Sequence, residues 1–122
     1  MGLATFKGGI HPYEGKELSM SKPVSVLQPK GEMVFPLSQH IGAPAKPLVA
    51  KGDQVLKGQI IAEAGGFISA NVLSSVSGTV KGIEPRLVAN GAMVQSIIVE
   101  NDGEENAIEG FGNARDYTKL SK

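Results

Sequence analysis

Residues 51–83 read KGDQVLKGQIIAEAGGFISANVLSSVSGTVKGI, a series of short β-prone runs punctuated by glycine. Gly52-Asp53 ahead of Val55, and Gly58 behind it, predict turns on both sides of a very short strand. Glycine accepts positive φ there, and an aspartate side chain bonds the backbone that follows it. Ser77-Gly78-Thr79-Val80 repeats the turn-then-strand arrangement as a weak internal echo. With IIAEA at 60–64 between them, this stretch predicts a chain of small strands and hence a mainly β fold with one or two short helices at most.

Working outward, SQHIGAPAKP at 38–47 holds Gly42, Pro44 and Pro47, which impose an extended, turn-rich loop with few free backbone donors. Met33, Val34, Phe35 and Leu37 form an apolar cluster before it, and Val24, Val26 and Leu27 stand between Pro23 and Pro29 close to period two. Both clusters predict half-buried strands. Pro12, Pro23 and Pro29 exclude a long helix from the lead-in, which is expected to wrap across the core as loops and short strands. On the other side, Asn90-Gly91 between Leu87-Val88 and the run Met93 to Val99 predicts a hairpin, since both turn residues tolerate φ > 0. Beyond Glu100 the chain turns acidic and glycine-containing, with Ala107, Ile108 and Phe111 available to dock back. The expected division is an N-terminal extension packed on the core at 1–35, the core at 36–100, and an acidic tail or linker to a following domain at 101–122, with YTKLSK at a domain boundary. The expected core comprises Val49, Val55, Ile60, Ile61, Ile68, Val72, Val76, Val80, Ile83, Val94, Ile97 and Val99.

The length of 122 residues suits one domain with a modest core. Twelve Lys plus Arg against twelve Asp plus Glu leave no net charge to draw the chain to nucleic acid or anionic lipid. The absence of cysteine excludes disulfides, thiol nucleophiles and thiolate ligands to zinc or iron–sulfur clusters within this sequence. No stretch approaches the roughly 20 apolar residues of a membrane span. Met1 to Ile10 lacks the apolar run of a signal peptide, so a cytoplasmic address is the default expectation.

Candidate site residues lie in two loops. Lys7, Gly8, Gly9 and His11 belong to KGGIHP, and Ser38, Gln39 and His40 to SQHIGAP. The two imidazoles lack any HExxH-type spacing to carboxylates, so they read as structural clasps or interface groups rather than metal ligands or bases. Lys7-Gly8-Gly9 lacks the Walker pattern and a following helix, and reads as a turn rather than a phosphate cradle. Gly110-Phe111-Gly112 is no dinucleotide fingerprint and reads as flexible tail. Ser69, Ser74, Ser75 and Ser77 stand outside any GxSxG and read as solvent-facing strand positions, and Lys51 and Lys57 as solvated charges flanking a turn. No catalytic, cofactor-binding or metal residue is therefore assigned, and this stretch alone is not expected to be an enzyme.

Residues 51–83 resemble the lipoyl and biotinyl carrier type of domain, a barrel-sandwich hybrid whose hairpin tip presents a modified lysine. The matching tip here is Ala64, Gly65, Gly66 and Phe67, with no lysine to carry an amide-linked arm. The fold is expected and the carrier chemistry is not. A broader resemblance covers TFKGGIHPYEGKELS at 5–19, PLSQHIGAPAKPLVAKGDQVLKGQIIAEAGGFISA at 36–70 and SVSGTVKGIEPR at 75–86. Together these look like the N-terminal domain of the C subunit of Rnf-type electron transport complexes. The resemblance implies a peripheral subunit at the cytoplasmic face of a bacterial membrane complex that moves electrons between NADH and ferredoxin and translocates ions. It also implies flavin mononucleotide, NADH and two tetranuclear iron–sulfur clusters bound by later regions of the full-length subunit, with no cofactor in this stretch. Its partners would then be the rest of its own subunit and other subunits, and its expected role is docking and shaping through the loops at 7–12 and 38–44. The alternative is a free-standing small-molecule-binding β domain.

Overall fold

The longest β-prone run, MVQSIIVEN, becomes the strand on which the rest assembles. The computed structural model describes residues 8–9 and 12–120. In chain order the strands are β1 (Glu32–Pro36), β2 (Lys46–Pro47), β3 (Gln54–Val55), β4 (Ile60–Glu63), β5 (Val72–Leu73), β6 (Gly78–Leu87) and β7 (Met93–Asn101), with single 3-10 turns at Lys16–Leu18 and Tyr117–Lys119. One sheet has the order β1-β7-β6-β3 and the other β2-β4-β5, and every pairing is antiparallel. The mainly β expectation holds, including the hairpin: β6 and β7 turn through Gly91 at φ 83°, where the Asn90 side chain accepts from the Ala92 N–H. The two members of the sequence echo pair with each other, Gln54 opposite Thr79 and Val55 opposite Gly78, and the Gln54 Nε2 donates to Thr79 Oγ1 at 2.7 Å.

Strand alternation sends Phe35, Ile97 and Val99 into the space between the sheets, where they meet Leu37, Ala45, Val55, Ile61, Ala62, Val76 and Val80, with Met33, Val49 and Val72 packed around them. Of the expected core, Ile60, Ile68 and Ile83 are instead exposed. The β4/β5 register shifts between Ile60 and Ala62, so Ile61 and Ala62 both turn inward and Ile60 turns out. Ile68 belongs to the loop after β4, and Ile83 lies past the short stretch of β6 that β3 pairs. Phe35, Leu37, Ala45, Ala62 and Ile98 are the additional buried apolar residues. Pro85 is tolerated within β6 because that stretch has no strand on its second edge to demand an N–H.

Two serines read as solvent-facing are buried. Ser74 Oγ donates to the Val76 carbonyl at 2.6 Å, and Ser77 Oγ donates to Asp102 Oδ1 at 2.7 Å while accepting from the Asn106 N–H at 3.0 Å. A hydroxyl can be buried at these positions because each has partners for it. Ser75 is exposed, as expected, and Ser69 is half-buried.

Past β7 the chain docks back. Lys57 and Ala107 form a parallel bridge, the Lys57 N–H donates to Asn106 and the Ile108 N–H to Lys57. Phe111, available to dock back although its GFG motif read as flexible tail, lies against Gly58 with the Lys57 Nζ 5.6 Å from its ring centroid. Lys57 also pairs with Glu105 at 3.8 Å, so it is not the freely solvated charge its sequence context suggested, while Lys51 is exposed. The strand expected at Val24 to Leu27 does not form. Residues 12–28 bury nothing, and the lead-in first meets the body at Pro29–Gly31, where Asn101 Nδ2 donates to the Pro29 carbonyl and the Asn101 N–H to Gly31. A period-two pattern becomes a strand only where an edge receives it.

Among the described residues no helix is long and apolar enough to cross a membrane.

Candidate docking surface

The strands give the molecule two ends. The starts of β1 and β6 and the end of β7 lie together at one end, and the opposite end carries the loop 38–45 after β1, the loop 64–71 between β4 and β5, and the β6–β7 hairpin turn. Proline and glycine keep the first loop out of any strand, so its shape is set by what it leans on.

It leans on the second loop through a set of short bonds. The Ala43 N–H donates to the Ile68 carbonyl at 3.0 Å, and Ser69 Oγ donates to the Ala43 carbonyl at 2.8 Å while accepting from the Gly65 N–H at 2.9 Å. Asn71 Oδ1 accepts from the Ala64 N–H at 2.8 Å. The loops approach so closely that a Cβ at Gly42 would stand 2.1 Å from the Ile68 oxygen, and one at Gly65 would stand 2.0 Å from the Pro44 oxygen. Gly42 also has φ 111°, which L side chains rarely adopt.

His40 completes the clasp. Its Nε2 accepts from the Ala70 N–H at 3.1 Å, which leaves the Nδ1 proton to donate to the Ile41 carbonyl at 3.0 Å. Both ring nitrogens are thus committed to backbone, and the imidazole fixes loop shape. Ser38, Gln39 and His40 stand between two clefts. One, of about 320 Å³, is lined by Phe35, Leu37, Ala70, Asn71, Val72 and Leu73 beside Gln39 and His40. The other, of about 420 Å³, separates Ser38 to Ile41 from Val88 to Asn90 in the hairpin turn. Gln39 Nε2 donates to the Pro36 carbonyl at 2.9 Å, holding the side chain along the loop.

The structure brings Ser38, Gln39 and His40 together. Gly8 and Gly9 stand exposed with open space around them, and no hydrogen bond among the described residues joins them to this surface. Lys7 and His11 lie outside the described residues. Sequence reasoning missed Ser69 and Asn71, the two side chains that staple the tip; the signal available was their place just after Gly65-Gly66, from which each bonds back to the start of its own loop. At the tip Phe67 is fully exposed where a carrier domain would present its lysine, and Ile68, next to it in the chain, and Ile41, in the first loop, are exposed as well.

Charge gathers elsewhere. None of the ion pairs among the described residues involves either loop; on the outer face of the larger sheet Lys81 pairs with Glu32 at 2.6 Å and Glu100 at 3.3 Å, and Arg86 bonds Glu84 and Glu32. The Lys81 ammonium holds the Glu32 carboxyl below its ordinary range, and Glu32 in turn raises Lys81. Near the start of β6 the Ser77 hydroxyl, with the Glu104 N–H, holds Asp102 below the usual carboxylate range. No group of three or more His, Asp or Glu side chains is placed to hold a metal among the described residues.

A family model described as the RnfC barrel sandwich hybrid domain matches residues 4–104. The C subunit of the proton-translocating ferredoxin:NAD(+) oxidoreductase complex of Clostridium ljungdahlii is 39% identical over 119 residues, which is 98% of this chain and 26% of that protein. The C subunit of the Na(+)-translocating ferredoxin:NAD(+) oxidoreductase complex of Acetobacterium woodii is 42% identical over 115 residues, 92% of this chain and 26% of that protein. The C subunit of the ion-translocating oxidoreductase complex of Rhodobacter capsulatus is 39% identical over 103 residues, 83% of this chain and 20% of that protein. The chain spans about a quarter of the length of these relatives or less. With two curled sheets, a stapled lysine-free tip and a match over most of its length, the chain belongs to the RnfC barrel-sandwich hybrid domain family.

Proposed function

We propose that this chain is the docking and shaping domain of the C subunit of an ion-translocating ferredoxin:NAD oxidoreductase complex, peripheral at the cytoplasmic face of the membrane. Relatives over 83% to 98% of the chain bear the name of that subunit, which supports the assignment to such a complex. The observation that carries the docking role is the clasp of loops 38–45 and 64–71, in which both His40 ring nitrogens, Ser69 Oγ and Asn71 Oδ1 are engaged by backbone. A surface fixed in this way meets a partner without an ordering cost at the moment of contact. Polar groups committed to backbone are not groups poised for proton transfer or nucleophilic attack.

Electron transfer belongs in this reading to the remainder of the subunit. This sequence has no cysteine and supplies no thiolate to an iron–sulfur cluster, and Gly110-Phe111-Gly112 sits in turns with no strand-to-helix frame around it for a nucleotide phosphate. Flavin, NADH and clusters are assigned to regions beyond this domain, and its partners to those regions and the other subunits.

The test is assembly and NADH oxidation of the complex with His40→Ala or Ser69→Ala introduced into the full-length subunit. Loss of assembly with the cofactor content of the subunit preserved is the expected result. Unchanged assembly and turnover in both variants would remove the main support for the docking role.

A further inference from the structure

Six large apolar side chains lie between Tyr13 and Leu27, and all stand exposed: Tyr13, Leu18, Met20, Val24, Val26 and Leu27. Val24 is 100% exposed and Leu27 93%. A single exposed leucine is ordinary, but a run of this kind marks a surface that something covers. The segment forms a 3-10 turn at Lys16–Leu18, turns again over residues 19–22 and has no helix or strand from there to Leu27, and Pro12, Pro23 and Pro29 keep it from coiling into a longer helix. Its charges, Glu14, Lys16, Glu17 and Lys22, balance, so apolar contact rather than electrostatic steering must hold it.

Magnitude separates this segment from the tip. Six such side chains offer on the order of 600 Å² of apolar surface. A standard interface buries about 800 Å² per partner, a little over half of it apolar. The lead-in therefore reaches interface size by itself, whereas Ile41, Phe67 and Ile68 supply about half as much.

We propose that Tyr13 to Leu27 is a docking arm that lies in an apolar groove on the remainder of the same subunit. The inference rests on the reading above, that the chain is one domain of a longer C subunit. The arm lies within the stretch matched by the family model, so it belongs to the domain, and about three quarters of the Clostridium ljungdahlii and Acetobacterium woodii proteins lies outside the match. Its point of departure from the body points to the same occupant. Asn101, the last residue of β7, holds Pro29 and Gly31, so the arm leaves beside the strand from which the chain runs on to residues 102–120. Arm and outgoing chain emerge at one end, which places the arm next to whatever is joined there. A covalent tether supplies an effective concentration in the millimolar range. That offsets the cost of ordering such a segment, as a free partner at cellular concentration would not.

Hydrogen exchange with mass spectrometry on the intact subunit, free of its complex, tests this. Peptides from 13–27 are expected to exchange at least tenfold more slowly than an unstructured chain. The triple variant Val24→Ser, Val26→Ser, Leu27→Ser is expected to return them to the unstructured rate while β6 and β7 keep their protection. Unprotected exchange of 13–27 in the wild-type subunit overturns the proposal, and that arm needs no variant to fold. Protection that appears only when the other subunits are added, or only on raising the concentration of the subunit itself, also overturns it, by naming another subunit or a second copy as occupant. Because this readout involves neither assembly nor turnover, its failure is distinct from failure of the docking role tested at His40 and Ser69.

Discussion

The two ends of this barrel are held by different chemistry. At the tip, loops 38–45 and 64–71 are joined by backbone groups, a serine hydroxyl, an asparagine amide and an imidazole. At the opposite end the chain leaving β7 is pinned by a carboxylate: Asp102 accepts from Ser77 Oγ and from the Glu104 N–H, and the Asn106 N–H donates to the same Ser77 oxygen. The difference lies in how each end answers to solution conditions. The clasp contains no carboxylate or ammonium, so salt has little to screen there, whereas the pin that ties down the outgoing chain depends on an ionised carboxylate.

The largest expected effects come from filling the closest backbone approach at each end. A Cβ at Gly78 would lie 1.9 Å from the Glu100 oxygen, and one at Gly65 would lie 2.0 Å from the Pro44 oxygen. The clashes are alike but the surroundings are not, because Gly78 is held between β3 and β7 where the long β6–β7 ladder begins, while Gly65 faces a loop. Gly78→Ala is expected to cost about 3 kcal/mol or more and Gly65→Ala about 1 to 2 kcal/mol, read from urea midpoints. Equal losses would mean that the tip is as unyielding as the sheet.

Next come the serines that staple each end. Ser77→Ala leaves Asp102 and the Asn106 N–H without their buried partner, and Ser69→Ala leaves the Gly65 N–H and the Ala43 carbonyl. Each is expected to destabilise by about 1 to 2 kcal/mol at neutral pH. Acid separates them. Folding lowers the Asp102 pKa, chiefly through Ser77, so its contribution is present above the unfolded carboxylate range and is lost as pH falls through the folded value. An acid titration of stability should therefore be shallower for Ser77→Ala than for wild type and unaltered in slope for Ser69→Ala. Parallel acid limbs in all three proteins would refute the carboxylate pin.

What was legible in the sequence divides along physical lines. The hairpin at Asn90-Gly91 and the strand at Val55 between glycine turns are local, each written in residues a few positions apart, and both form. The bonds that join the two loops run from Ser69 to Ala43 and from Ala70 to His40, residues 26 and 30 positions apart, so no local pattern announces them. Ser74 and Ser77 escape a sequence reading for the same reason, since a hydroxyl can be buried only with partners that the fold supplies. Val24, Val26 and Leu27 show the converse: the pattern of a strand is present and the sheet edge is not. Ile60 was lost to a bulge, which shifts the inward face by one residue without altering composition. Of the candidate site, Ser38, Gln39 and His40 could be found from their proline- and glycine-bound loop, while the fit of that loop to Ile68 and Ser69 could not.

The smallest expected effect concerns the charges on the outer face of the larger sheet, which belong to neither end. Lys81 lies between Glu32 and Glu100, residues that face each other across β1 and β7 and would otherwise repel. All three are substantially solvent-exposed, so the attraction is screened and the neutral-pH midpoint of Lys81→Met should barely move. The acid limb should move more than the midpoint. With the ammonium gone, the influence that chiefly holds Glu32 below its ordinary range disappears, and only the weaker pull of Arg86 remains. Glu32 then protonates at higher pH, and the part of the stability that its lowered pKa supplies above the unfolded carboxylate range is reduced. The shift should shrink in 1 M salt, where the screening length is about 3 Å, while the effect of Ser77→Ala, a short hydrogen bond to a buried hydroxyl, should persist. A salt-insensitive Lys81 effect would mean that its aliphatic stem, which lines a cleft together with Ile98 and Gly82, contributes more than its charge.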